Sequence, residues 1–117
     1  MHACKLWISA LAVLVGCGGA ELNQTRVTNV QAAVLAAEQV GANDQPKAAL
    51  HLQLAKEQIE SAKRLAADGD GSNANLLLER AKVDAELAMQ LARTEREQAN
   101  ARQAWEKIQD LKKQSAR

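Results

Sequence analysis

From Asn73 to Lys113 the chain runs through 41 positions without a glycine or a proline. Those two residues break helices, glycine through backbone entropy and proline by removing a donor and clashing with the preceding turn. The stretch therefore predicts a single helix from about 73 to 113, ~60 Å long at 1.5 Å per residue. Little more than 70 residues of the 117 remain to cover it. Up to about Thr94 such a helix can lie against the rest of the chain, and beyond that point the chain offers nothing to pack on it.

Upstream, Val27, Val30, Val34 and Ala37 recur at three- and four-residue steps, the helical repeat. Thr28 with Gln31 fits a capping box, so a first helix is expected over about 25–40. Gly41-Ala42-Asn43-Asp44 ends it, with Asp44 positioned to cap a second helix that has Pro46 in its first turn. Ala48, Leu52, Ala55, Ile59, Ala62 and Ala66 form one stripe over about 46–67, while Lys47, Lys56, Glu57, Glu60, Lys63 and Arg64 mostly turn away. Asp68-Gly69-Asp70-Gly71-Ser72 separates this helix from the third. Short connections make neighbouring helices antiparallel. The expected fold is all-α: an up-down-up three-helix hairpin or bundle, tetratricopeptide-like, with a long protruding third helix.

Composition agrees. Phe and Tyr are absent and tryptophan occurs only at 7 and 105, which disfavours an all-β domain. From Ala20 onward, 21 alanines stand against 21 larger apolar side chains, so the core is thin and suits closely approaching helices. Leu87, Leu91, Thr94, Gln98, Ala101, Trp105 and Ile108 follow alternating steps of four and three along the third helix, a heptad seam weakened at Thr94 and Gln98. Ala101, Trp105, Ile108 and Leu111 are the candidate partner surface, because a tryptophan on a protruding helix suits a contact.

The N-terminus has a different organisation. Residues 1–5 are short and cationic through Lys5, and Leu6 to Val15 are apolar apart from Ser9. That run fits a signal-peptide core and is too short to span a bilayer, which takes ~20 residues. It ends in Leu14-Val15-Gly16-Cys17, which resembles the bacterial lipobox. The expected division is a signal peptide over 1–16, a lipidated N-terminus and tether over 17–24, and a helical domain over 25–117. By that resemblance Cys17 carries three acyl chains, and more than one chain anchors stably at ~0.8 kcal/mol per buried methylene. Gly18 is not the aspartate that retains enterobacterial lipoproteins at the inner membrane. The expected location is the periplasmic face of the outer membrane, with the inner membrane as the alternative.

The helices Val30-Gln31-Ala32-Ala33-Val34-Leu35-Ala36-Ala37-Glu38 and Leu52-Gln53-Leu54-Ala55-Lys56-Glu57-Gln58-Ile59-Glu60-Ser61-Ala62, with Leu65-Ala66-Ala67-Asp68-Gly69-Asp70 and Leu76 to Leu87, carry a further likeness. Over roughly 25–95 the chain resembles a family of short helical bacterial lipoproteins, domain of unknown function 4398. The chain departs from it at Gly71-Ser72, where an aromatic commonly follows the Gly-Asp turn. The resemblance implies a helical fold and an envelope location, and no activity.

Asp68, Asp70, Ser72 and Glu79 fall at positions 1, 3, 5 and 12 of a calcium loop, yet Asn73 stands where glycine is required and Leu76-Leu77-Leu78 reads as helix. A solvated turn, with Asp70 or Ser72 as cap, is the preferred reading. His51 has only Lys47 and Ala55 at i±4, so no metal or acid-base partner is expected on its face. Glu79, Lys82, Asp84 and Glu86, like Arg93, Glu95, Arg96 and Glu97, read as solvated helix faces. No nucleophile-base pair, metal cluster or phosphate loop is present, so no enzymatic activity, metal or cofactor is expected. Without the leader, 14 basic face 14 acidic side chains, which gives nucleic acid no purchase. The expected role is a structural or adaptor protein, membrane-bound through its lipid, that meets a protein partner or itself through the third helix. A small peptide- or glycan-binding module using the groove between the first two helices is the alternative.

Overall fold

The computed structural model describes residues 20–117. Residues 1–19, and with them the expected signal peptide with Leu14, Val15, Gly16 and Cys17, lie outside the described residues. Three helices, α1 (Gln24–Gln39), α2 (Pro46–Ala67) and α3 (Gly71–Ser115), are joined by a 3-10 turn, Ala42–Asp44, and a short Asp-Gly turn.

Local chemistry sets the boundaries. The Asn23 side chain accepts from the Arg26 N–H and starts α1 at Gln24. The expected capping box at Thr28 is not used: with Asn23 capping first, Thr28 is already inside the helix, and its hydroxyl donates to the Gln24 carbonyl. Gly41 ends α1 at φ 89°, a left-handed conformation that costs glycine little. Asp44 does not cap α2. It lies in the 3-10 turn, and Gln45 takes the cap position without a side-chain bond. Pro46 at the first helical position removes one of the unpaired N–H donors of that turn and presets its φ for the helix. Asp70 accepts from the Asn73 N–H and starts α3 two residues earlier than the sequence suggests.

Arg26 pairs with Glu79, and at the other end of α1 the Arg96 guanidinium donates to the Val40 carbonyl at 2.9 Å. These ties run α1 parallel to α3. His51 and Gln58 on α2 both reach Asp84, and Glu38 pairs with Lys56, which sets α2 antiparallel to both neighbours. The order is up-down-up.

The core is Val27, Val30, Val34 and Ala37 from α1, Ala48, Leu52, Ala55, Ile59 and Ala62 from α2, and Ala74, Leu78, Ala81, Ala85, Ala88 and Ala92 from α3, together with Ala42. On α3 the buried positions advance in alternating steps of four and three from Ala74 to Ala92. The same rhythm continued meets Glu95, Ala99, Arg102 and Glu106, so the core ends where the pattern turns polar. Alanine at most α3 core positions lets the backbones approach closely, and Leu52, Leu78 and Val30 fill the volume between them. Beyond Arg93, α3 leaves α1 and α2: Glu95 and Ala99 keep partial cover, and Arg96 still reaches Val40. At 45 residues it is ~67 Å long. Among the described residues no helix is long and apolar enough to cross a membrane.

Candidate functional site on the outer face of the third helix

An α-helix turns about 100° per residue. On α3 this places Leu76, Val83, Leu87, Thr94, Ala101, Trp105 and Ile108 within an arc of about 60°, on the side opposite the Ala74–Ala92 core stripe. The large members are solvent-facing: Leu76 is 54% exposed, Val83 63% and Trp105 60%. The helix thus has two apolar faces. One is covered by α1 and α2, and the other is bare over most of its length.

Among the sequence-predicted residues, Ala101, Trp105 and Ile108 share this outer face and are exposed. Leu111, also exposed, lies about 120° round the helix from Trp105 and does not join them. Leu91, placed on the seam by its spacing, is instead half-buried against the core. Leu76 and Val83 were missed. Their spacing to Leu87 is the signal that could have found them, but the core stripe on the opposite side is mostly alanine, which leaves the boundary between the two faces unmarked.

At the other end, residues 20–23 are not a free tether. The Asn75 side chain accepts from the Asn23 N–H at 2.9 Å and donates to the Glu21 carbonyl at 2.9 Å, as a neighbouring strand would. Leu22 packs on the core, and Ala20 crosses directly over Gly71. The chain therefore enters the body at the α2–α3 turn, the end opposite the free half of α3.

The Asp84 carboxylate is half-buried, with one oxygen 2.8 Å from His51 Nδ1 and the other accepting from Gln58 Nε2 at 2.7 Å. The expectation of a partnerless His51 and a solvated Asp84 is corrected: the partner comes from another helix, which spacing along one helix cannot reveal. The pair ties α2 to α3. Arg96, exposed as expected, also donates to the Val40 carbonyl at the C-terminal end of α1.

The four residues at calcium-loop spacing do not converge. Asp70 is committed to Asn73, Glu79 to Arg26, and the chain is helical from Gly71. No metal-holding group of His, Cys, Asp and Glu occurs among the described residues. Between α1 and α2 lies an open groove of about 490 Å³, lined by Val34, Leu35 and Ile59 and spanned by the Lys56–Glu38 ion pair.

A protein-family profile described as "Domain of unknown function (DUF4398)" matches residues 25–104. That match takes in α1 from Thr25, all of α2 and α3 as far as Ala104, and stops one residue short of Trp105. No curated protein and no solved structure matches the chain.

Proposed function

The chain belongs to the DUF4398 family. We propose that it is a lipid-anchored, non-catalytic structural or adaptor protein of a bacterial envelope. Its anchored end is the α2–α3 turn, and its contact surface is the outer face of α3. The observation that carries this reading is the row of exposed apolar side chains on the outer face of α3, Leu76, Val83 and Leu87 on the body and Trp105 and Ile108 beyond it. An exposed apolar run of this kind, flanked by charge, is characteristic of an interaction site.

The lipobox-like Leu14-Val15-Gly16-Cys17 supports the anchor. Cys17 lies three residues before Ala20, which is held over Gly71, so a lipid there is at most ~10 Å of extended chain from the body. Trp105 stands ~50 Å further along α3. The periplasmic face of the outer membrane is the proposed location.

Fractionation of cells producing the full chain or its Cys17→Ser variant tests the anchor. The wild-type chain is expected with the membranes and labelled by palmitate, and the variant released and unlabelled. Equal partitioning of the two would refute lipidation. A photo-crosslinker at position 105, compared with one at Lys47 on the body, tests the contact surface.

A further inference from the structure

We propose that the outer face of α3 is occupied by a second copy of this chain, antiparallel and centred on Thr94, so that the free half of each α3 lies along the other copy's body. This names the occupant of the contact surface and so rests on the reading that the face is a helix–helix contact, but it does not depend on lipidation.

Three observations converge on it. First, the lengths match. The covered part of α3, Gly71 to Ala92, has 22 residues, and the free part from Arg96 to Ser115 has 20, or about 30 Å. A body of three helices with one bare face on α3 receives a fourth of the right length, stacked on the side of α3 away from α1 and α2.

Second, the stripe complements itself when reversed about Thr94. Positions at equal offsets meet: Leu87 faces Ala101 and Val83 faces Trp105, with a large side chain against a smaller one in each case. Leu76 faces Lys112 and Ile108 faces Arg80, two basic side chains whose aliphatic stems can cover them while the charges stay in water. The weak positions of the seam, Thr94 and Gln98, fall near the two-fold axis, where each copy presents its polar groups to the other's. Such an interface is closed, because the same patch serves both subunits.

Third, the charges oppose. Residues 20–92 carry ten acidic and seven basic side chains, net −3, while residues 93–117 carry seven basic and four acidic, net +3. Antiparallel pairing sets each basic extension against an acidic body. Parallel pairing stacks the two basic extensions on each other, so the electrostatics select the orientation. The two Gly71 ends, and with them the two entering chains, then sit about 69 Å apart at opposite ends of the dimer.

The core lies wholly within residues 27–92, so residues 18–117 serve for the test and contain no cysteine. Sedimentation at about 1 to 200 µM is expected to show a monomer–dimer equilibrium that weakens as salt rises. Val83→Glu and Trp105→Glu are each expected to raise the dimer Kd at least about tenfold without loss of helix content. Leu50→Glu, on an exposed α2 position, is expected to leave it unchanged. For orientation, Leu87→Cys and Ala101→Cys chains are mixed under oxidation. The mixed disulfide is expected in excess over the Leu87→Cys homodimer, and the reverse preference overturns the antiparallel arrangement. A monomer at every concentration overturns the dimer and leaves the anchored-adaptor reading to its own Cys17→Ser test.

Discussion

Gly71 lies directly beneath the carbonyl of Ala20, so close that a Cβ on residue 71 would overlap that oxygen and its carbon. Gly71 is buried at the first position of α3, and its missing side chain is the space through which the entering chain passes. The turn before it uses a second glycine differently: Gly69 adopts φ +86° with open space around it.

The two glycines should therefore fail in different ways. Gly71→Ala forces the entering chain off the body, and we expect a loss of ~1–3 kcal/mol together with faster hydrogen exchange at the Asn23 N–H. Gly69→Ala meets no atoms and costs ~1 kcal/mol through its backbone conformation alone, with exchange at Asn23 unchanged. Melting curves and exchange rates on both variants check the contrast.

Asn75→Ala removes both hydrogen bonds that pin residues 21 and 23. Because these groups are exposed and water can replace the lost partner, the cost should be only ~1 kcal/mol. The larger effect is on order. Proteolysis between Ala20 and Asn23 is expected to accelerate, while the main unfolding transition moves little.

Asp84→Ala leaves Gln58 without its acceptor in a site where the Gln58 carbonyl oxygen is already buried and unpartnered. A destabilisation of ~1–3 kcal/mol is expected, more than for Lys82→Ala on the exposed surface. A double-mutant cycle with His51→Ala reads the pair directly. Additive losses would show that His51 and Asp84 do not cooperate.

Core size changes should be costly in both directions. Leu78→Ala opens a cavity among side chains that cannot collapse onto it and is expected to cost ~2–5 kcal/mol. Ala85→Leu pushes α3 away from its neighbours and costs ~1–3 kcal/mol or more. Denaturant unfolding measures both, and a tolerated Ala85→Leu would mean the helices are not closely packed.

A chain ending at Glu97 keeps every core residue, since the last is Ala92, and retains the Arg96 bond to Val40. It should unfold with nearly the same midpoint as the longer chain at low concentration. Loss of cooperative unfolding would show that the free half of α3 supports the body.

The helices were readable from the sequence because their signals are local. The Val27–Ala37 and Ala48–Ala62 stripes repeat at helical spacing, and all of those residues are buried, while Gly41 and the Asp-Gly turn break the chain where the structure does. The length of α3 and its departure from the body near Thr94 follow from the same local rules. The core stripe of α3 was harder to read: it consists of alanines, whose burial depends on what approaches them, and the neighbouring leucines drew the seam toward Leu91.

The sequence by itself determined the three helices, their order and the end of the core, because capping, turn chemistry and apolar periodicity act over a few residues. Only the tertiary structure decided that Asp84 belongs to His51 and Gln58, that Asn75 holds the entering chain, and that the face of Leu76 and Val83 stays uncovered. Those relations join residues up to 54 positions apart or depend on which side of α3 is already covered. They are fixed by how the helices dock, and no local pattern encodes that.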